Sequence, residues 1–111
     1  MREAWKIEHA LWIDGVEAYE RHMAPHCVMA FGPMGIIENA QIIEGLREAP
    51  RWAIVSMQDR VTIAPRNDLV VLAYRAEASR DAQRYEALCT STYTLEENLL
   101  KLVQHQQTPL N

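Results

Sequence analysis

The spacing of apolar residues changes along the chain. In the first half they recur every three or four positions, as in Ala4, Ile7 and Leu11, which is the period of an amphipathic helix. From Trp52 onward apolar and polar residues alternate, which is the period of a half-buried strand. The pattern predicts mainly helices in the first half of the chain and long strands in the second.

Three helices are expected before the period changes. The first covers residues 3–13. The second should begin at Asp14, which can cap it because Glu17 follows three positions later, and should end before Pro25. The third should begin at a cap residue, Asn39.

Strands are expected in the rest of the chain. A short apolar run, residues 27–31, should form one strand, which a Gly-Pro-Met-Gly segment ends. Four longer strands should cover residues 52–64, 69–79, 84–94 and 99–108. One face of the first long strand should carry Val55, Met57, Val61 and Ile63. This order predicts an α+β fold, in which a curved, mainly antiparallel sheet (a cone-shaped half-barrel) wraps around three N-terminal helices, and it excludes a doubly wound parallel sheet.

Length and charge limit the class of protein. The 111 residues predict a single domain, residues 1–111, with one core. The net charge is −4 and Lys and Arg form no run, so we expect no nucleic-acid partner. No apolar stretch approaches about 18 residues and no signal sequence precedes the first helix, which predicts a cytoplasmic protein without a membrane partner. Cys27 and Cys89 lie in apolar runs and should be buried free thiols.

Four segments carry a resemblance to a known family. They are LWIDGVEAY (11–19), CVMAF (27–31), CTSTY (89–93) and HQQ (105–107). With the order of elements, they resemble the nuclear transport factor 2-like superfamily, and within it the SnoaL-like group of bacterial domains of unknown function. The resemblance covers nearly the whole chain. It implies a cone-shaped sheet closed by helices, an interior cavity at the wide end, and a homodimer formed through the sheet.

The resemblance also allows one reaction to be tested. Delta-5-3-ketosteroid isomerases of this superfamily place a catalytic aspartate at the end of the first strand, where this chain has Phe31 and Gly32. Neither residue can accept a proton. The second acid of that family, on the penultimate strand, falls near Thr90, Ser91 or Thr92. Both departures argue against steroid isomerisation.

Alternation in the closing hairpin predicts which side chains face a cavity. Leu102 shares a face with Thr90, Gln104 and Gln106, which we take as the cavity side, and His105 should lie on the opposite face. The predicted ligand-binding residues are Trp12, Tyr19, Met23, Phe31, Met57, Tyr74, Thr90, Gln104 and Gln106. Each could instead be a core residue or a partner of backbone groups.

Three residues are candidates for acid–base chemistry. Glu8 and Asp59 have mostly apolar neighbours, and His105 could stand beside Cys89 if the hairpin pairs in the right register. Without a third group to orient the imidazole, that pair is better explained by a dimer interface. The four histidines are too dispersed for a metal site, and we expect neither metal nor cofactor.

Three hypotheses about function remain open. The first is a domain with no assigned reaction that binds an apolar or aromatic small molecule. The second is a cavity enzyme of the hydratase, lyase or isomerase type, with Glu8, Asp59 or His105 as base. The third is a structural module, a homodimer through the sheet face that carries Ser91, Val103 and His105.

Overall fold

Three helices and six strands form most of residues 2–110, the part of the chain that the computed structural model describes. The helices are α1 (Arg2–Ile13), α2 (Val16–His22) and α3 (Asn39–Glu48). The strands are β1 (Met23–Phe31), β2 (Gly35–Glu38), β3 (Ile54–Arg66), β4 (Leu69–Arg80), β5 (Gln83–Glu96) and β6 (Leu99–Pro109). Within this part of the chain, no helix has both the length and the hydropathy of a membrane span.

The six strands form one sheet in the order β2-β1-β6-β5-β4-β3. Neighbouring strands are antiparallel except for β1 and β6, which run parallel. The helices pack on one face: α1 contacts β3 and β4, α2 contacts β6, and α3 contacts β1. The predicted α+β fold, a curved and mainly antiparallel sheet around three N-terminal helices, is confirmed. We call the sheet face toward the helices the inner face and the other the outer face.

Regular alternation in β4 builds the inner face. The buried residues of this strand are Val70, Leu72, Tyr74, Ala76 and Ala78. Leu72 belongs to a core cluster with Ile7 and Leu11 of α1, and Tyr74 belongs to a neighbouring cluster with Trp12. The amphipathic period of α1 and the strand period of β4 therefore meet in the same core.

A bulge interrupts β3. Gln58 pairs with Arg75 and Val61 pairs with Ala73, so β3 has one residue more than β4 between the two pairs. Asp59 takes a φ of 55° there, in the left-handed region that Asp tolerates better than most residues. One extra residue moves every later side chain to the other face of the strand, because the side-chain period is two.

The bulge in β3 overturns one prediction. Val55 and Met57 are buried on the inner face, but Val61 and Ile63 lie on the outer face and are 50% and 54% exposed. The prediction that these four residues share a face is wrong. Beyond the bulge it is Thr62 that turns inward, where its hydroxyl accepts a hydrogen bond from the Trp5 indole.

A second bulge interrupts β6. Thr92 pairs with Gln104 and Tyr93 pairs with Leu102, so Val103 is an extra residue in β6. Leu102 is buried on the inner face before the bulge. Beyond it, the side chains that reach the inner face are those of the odd-numbered residues.

The bulge in β6 therefore reverses the predicted faces of the closing hairpin. His105 is buried on the inner face and Gln107 lines the space inside it, whereas Gln104 and Gln106 lie on the outer face. The predictions that Gln104 and Gln106 share a face with Leu102, and that His105 lies opposite, are wrong. A single inserted residue accounts for both errors.

Two helix starts also differ from prediction. Gly15, with a φ of 65°, caps α2, because the Asp14 N–H still belongs to the end of α1. Glu38 caps α3 and forms a capping box with Gln41. Asn39 is the first residue of α3 instead, and its side chain bonds the backbone of β1.

The first strand is longer than predicted. β1 begins at Met23, so Pro25 lies inside it, at an irregularity in the pairing with β6 between Met23 and Val28. Proline is tolerated there because the ladder is already interrupted. β2 was not predicted, since its four residues carry too little alternation to be recognised.

Candidate functional site

A cavity of about 540 Å³ lies between the helices and the inner face of the sheet. All three helices line it, together with β1, β6 and the turn between β4 and β5. Its walls include Trp12, Tyr19, Met29, Phe31, Ile42 and Trp52. A largely apolar and aromatic lining with a few polar groups is typical of small-molecule sites.

Aromatic rings stiffen the mouth of the cavity. Trp52 stacks on Tyr85 with ring centroids 5.6 Å apart, and Trp12 lies 6.2 Å from the same tyrosine ring. The guanidinium of Arg80 lies 3.9 Å above the Trp52 ring. These contacts hold the mouth in one arrangement, since each ring is packed on another or under a cation.

The charged side chains of the lining are all arginines among residues 2–110. Arg51, Arg80 and Arg84 belong to it, together with the amides of Gln83 and, on the inner face, Gln107. Among residues 2–110 no Asp, Glu or His lines this cavity. Tyr19 adds a hydroxyl that has no hydrogen-bond partner in the described chain. The cavity therefore offers hydrogen-bond donors and positive charge, with no side-chain carboxylate or imidazole.

Next to the cavity lies a fully buried polar group of residues, which we call the Glu8 cluster. Its members are Glu8 of α1, Tyr74 of β4, Ser91 and Tyr93 of β5, and His105 of β6. Glu8 is buried because it lies on the same side of α1 as the core residues of that helix. The β6 bulge brings His105 onto the same inner face.

Three hydroxyl groups donate to the Glu8 carboxylate. Ser91 donates to Oε2 at 2.7 Å, Tyr93 donates to Oε1 at 2.5 Å, and Tyr74 donates to Oε2. The Tyr74 hydroxyl in turn accepts a hydrogen bond of 2.9 Å from the Trp12 indole. The two oxygens of a carboxylate together accept about four hydrogen bonds, so Glu8 has room for all three donors.

Both ring nitrogens of His105 are hydrogen-bonded, one to Ser91 and the other to Gln107. The only hydroxyl proton of Ser91 goes to Glu8, so His105 Nδ1–H donates to Ser91 Oγ at 2.6 Å. His105 Nε2 then accepts from the Gln107 amide at 2.9 Å, and the Gln107 oxygen accepts from Tyr85 at 2.8 Å. The imidazole is thus neutral and oriented. Gln107 connects it to the cavity, where the amide has a further N–H to offer.

Burial dominates the titration of this cluster. It lowers the pKa of His105, and the nearby Glu8 carboxylate opposes that shift only in part. Burial and Glu8 together raise the pKa of Tyr74 and Tyr93 well above their ordinary value. Burial raises the pKa of Cys89 to about 12, which leaves the thiol protonated at neutral pH.

The predicted acid–base residues occupy two different environments. Glu8 and His105 come together, with 3.5 Å between Glu8 Oε2 and His105 Nδ1, but both are buried and neither lines the cavity. Asp59 is exposed at the β3 bulge. Cys89 pairs with Gln107 in the sheet, so the register that would place it beside His105 does not occur; Ser91 stands opposite that histidine.

The predicted ligand-binding residues divide into three groups. Trp12, Tyr19 and Phe31 line the cavity. Met23, Met57 and Tyr74 pack in the core clusters beside it. Gln104 and Gln106 lie on the outer face, because the β6 bulge reverses the alternation on which their assignment rested. Thr90 also lies there, because the hairpin turn pairs Leu102 with Tyr93 and leaves the even-numbered residues of β5 facing outward.

Gln107 and the three arginines were missed by the sequence analysis. Gln107 can be assigned to the inner face only if the extra residue of the bulge is taken into account, and no local signal marks Val103 as that residue. Arg80 and Arg84 flank a turn, where charged residues are ordinarily solvent-exposed. Their proximity to Arg51 depends on the sheet curving back toward the end of α3, which lies beyond the reach of pattern analysis.

Neither a family model nor a curated protein sequence matches the chain. Solved structures do match it. A candidate ketosteroid isomerase from Parabacteroides distasonis is 16% identical, with 97% of this chain and 86% of that chain covered and a TM-score of 0.82. A nuclear transport factor 2-like protein of unknown function from Pseudomonas aeruginosa is 20% identical, with coverages of 99% and 97% and a TM-score of 0.81. The chain has the nuclear transport factor 2-like fold.

The same fold occurs in an association domain. That of the kinase CaMKII from C. elegans is 13% identical, with coverages of 96% and 90% and a TM-score of 0.78. The nuclear transport factor 2-like fold thus accompanies both a candidate enzyme and an association domain, so the fold alone does not choose between them.

Two positions of this nuclear transport factor 2-like chain bear on the isomerase reaction. Phe31, at the end of β1, lines the cavity where the resemblance would require a carboxylate. On β5, Ser91 points inward but is fully buried and bonded to Glu8, while Thr90 and Thr92 face outward.

Proposed function

We propose that the protein binds an apolar or aromatic small molecule in the cavity between its helices and the inner sheet face. The single observation that carries the proposal is the cavity itself, about 540 Å³ in volume and lined mostly by aliphatic and aromatic side chains. A volume of several hundred cubic ångströms suits a compound of two or three rings.

Unpartnered polar groups inside the cavity support a ligand. The Tyr19 hydroxyl and the second N–H of Gln107 have no partner among residues 2–110 and lie in the lining. In the Glu8 cluster next to it, every side-chain polar atom is bonded. Groups that orient a ligand are left free in just this way before the ligand arrives.

Fluorescence of N-phenyl-1-naphthylamine, a neutral aromatic probe that brightens in apolar surroundings, tests the proposal. The wild-type protein should bind the probe with a saturable signal. Ala49→Trp should weaken binding at least about tenfold, because Ala49 is exposed at the end of α3, lines the cavity, and can place an indole in it without disturbing the core.

Ala40→Trp is the matched control. Ala40 is an exposed residue of the same helix and does not line the cavity. This variant should bind the probe as the wild type does, and both variants should unfold at about the wild-type temperature. Absence of saturable binding, or equal binding by Ala49→Trp and wild type, contradicts a binding cavity.

The cavity-enzyme hypothesis receives less support from the geometry. A general base must come within hydrogen-bond reach of the proton it removes. Glu8 and His105 are buried outside the lining and Asp59 lies on the surface, so none of the three proposed bases is placed to do this.

A second function, self-association through the outer sheet face, has an observation of its own. Val61, Ile63 and Leu88 are each about half exposed there, and uncharged Thr90, Thr92, Gln104 and Gln106 lie beside them. Exposed apolar side chains on a sheet face are typical of an interface, although Leu88 here pairs with the charged Arg75. We propose a homodimer through this face; the earlier assignment of Ser91 and His105 to it is replaced, because both are buried inside.

Light scattering coupled to size-exclusion chromatography tests the dimer. Thr92→Arg, near the middle of the outer face, should convert a dimer to a monomer, since two desolvated arginines would face each other across the interface. Ala40→Arg, on the helix side, should leave the mass unchanged. A wild-type monomer at micromolar concentration contradicts self-association.

A further inference from the structure

Three arginines gather at the mouth of the cavity in a protein that is acidic overall. The chain has 15 Asp and Glu against 11 Lys and Arg, a net charge of −4. Arg51, Arg80 and Arg84 nevertheless lie together in the cavity lining, and no carboxylate among residues 2–110 accompanies them there. Asp81, in the same turn as Arg80, is exposed and does not belong to the lining. The mouth is a local positive region on a negative molecule.

Two of these arginines are held in place by uncharged groups. Arg80 Nε donates to the Gln83 side chain at 2.8 Å, its Nη1 donates to the Pro50 carbonyl at 3.0 Å, and its guanidinium stacks on Trp52. Arg51 packs on Gly15, where a Cβ atom would lie 2.9 Å from the arginine Cδ. These contacts position the arginine charges without neutralising them.

The third arginine has no partner in the described chain. Arg84 forms no side-chain hydrogen bond and no ion pair with any of residues 2–110. Elsewhere, Arg47, Arg66 and Arg75 pair with carboxylates, whereas Arg60 bonds the Met57 carbonyl and stacks on Trp5. What distinguishes the mouth is that three arginines line one opening with no carboxylate partner among residues 2–110.

We propose that the natural ligand is a carboxylate with an aromatic or aliphatic body. The body occupies the apolar interior and the carboxylate lies at the mouth, bound by Arg84 and Arg80. A guanidinium presents two parallel N–H donors that match the two oxygens of a carboxylate. The Arg84 side chain donates to no residue of 2–110, and Arg80, whose Nε and Nη1 already donate, still has Nη2 to offer. This inference rests on the proposed binding function and adds the class of ligand.

Calorimetric titration with two probes of one shape tests the proposal. The probes are 2-naphthylacetate and its neutral analogue 2-naphthylacetamide, which differ in charge but hardly in size. The acid should bind at least about tenfold more tightly than the amide, because charge-assisted hydrogen bonds are about twice as strong as neutral ones. Raising the salt from about 0.01 M to 1 M should reduce that preference, because it shortens the Debye length from about 30 Å to 3 Å.

An arginine variant and its matched control locate the effect. Arg84→Gln should weaken binding of the acid about tenfold and leave binding of the amide unchanged. Arg66→Gln makes the same change of net charge at the last residue of β3, outside the cavity lining, and should alter neither affinity.

The outcomes separate this inference from the proposed function. Equal binding of acid and amide, or an Arg84→Gln variant that keeps the preference, overturns the carboxylate assignment and leaves the binding cavity standing. Failure of both naphthyl probes and of N-phenyl-1-naphthylamine overturns the binding function as well.

Discussion

The Glu8 cluster and the cavity are joined by Trp12 and Gln107 and differ in how their polar groups are used. In the cluster, each hydroxyl, the carboxylate and the imidazole find partners inside the protein. In the cavity, the Tyr19 hydroxyl and the Arg84 guanidinium find none in the described chain. Buried polar groups that are fully bonded support the fold, whereas polar groups left free around an open space suit a ligand. Glu8 and His105, two of the three candidate bases of the sequence, are among the fully bonded groups that support the fold.

The largest expected effect comes from removing the centre of the cluster. Glu8→Ala leaves three buried hydroxyl groups without their acceptor, each of which costs about 1 to 3 kcal/mol when unsatisfied. We expect the free energy of unfolding to fall by about 4 kcal/mol, allowing for partial relaxation. Urea denaturation measures it. The exposed Glu3 of the same helix is the control, and Glu3→Ala should change stability by less than about 1 kcal/mol.

A change of under about 1 kcal/mol in Glu8→Ala would contradict the supporting role assigned to the cluster. It would imply that the hydroxyl groups find other partners, and Glu8 would become available again as a functional carboxylate.

A smaller effect is expected when one hydroxyl is removed from each region. Tyr74→Phe deletes the link between Trp12 and Glu8 and should destabilise the protein by about 1.5 to 3 kcal/mol, because its bond is to a charged group. Tyr85→Phe deletes a bond to the neutral amide of Gln107 at the half-buried cavity wall and should have an effect of about 0.5 to 1.5 kcal/mol. Thermal or urea unfolding of the two variants gives the comparison directly. Equal losses would show that the two regions are not energetically distinct.

The third expected effect is a dependence of stability on pH. Burial lowers the pKa of His105 below its ordinary value of about 6.5. Between these two pKa values the unfolded chain binds a proton that the folded protein does not. The contribution of His105 to the free energy of unfolding is therefore fully present above the ordinary pKa. It is lost as the pH falls through the folded-state pKa, by at most about 1.4 kcal/mol per pH unit. His105→Gln should lower this slope. His22, whose pKa partial burial also lowers, contributes equally to both proteins and cancels in the comparison.

Urea unfolding at several values between about pH 8 and pH 5 measures the slope, the range over which histidine charge changes. A slope that is the same in wild type and His105→Gln would mean that His105 accepts a proton inside the fold. The imidazole could then not be the neutral, oriented group that the hydrogen bonds describe.

The spacing of apolar residues predicts the fold but only part of the candidate site, for a physical reason. The order of helices and strands depends on periods that run over ten residues or more, and one irregular residue does not obscure them. The identity of an inward-facing side chain depends on an exact count along a strand. The bulge at Asp59 adds one to that count and puts Val61 and Ile63 on the outer face. The bulge at Val103 puts Gln104 and Gln106 there and brings His105 inside.

Trp12, Tyr19 and Phe31 were found in the cavity because they precede both bulges and lie on the helices and the first strand. The arginines of the mouth could not be found in the same way. Arg51 and Arg84 are more than thirty residues apart in sequence, and only the curvature of the sheet brings them to one opening.

The most direct measurement is the response of the three tryptophan indole N–H signals in a 1H–15N spectrum during titration with 2-naphthylacetate. Trp12 and Trp52 line the cavity, whereas Trp5 packs on Tyr74 and bonds to Thr62 away from it. We expect saturable shifts of the Trp12 and Trp52 signals with the Trp5 signal fixed. Shifts of Trp5 alone, or no shift at a saturating concentration, would contradict the assignment of this cavity as the binding site.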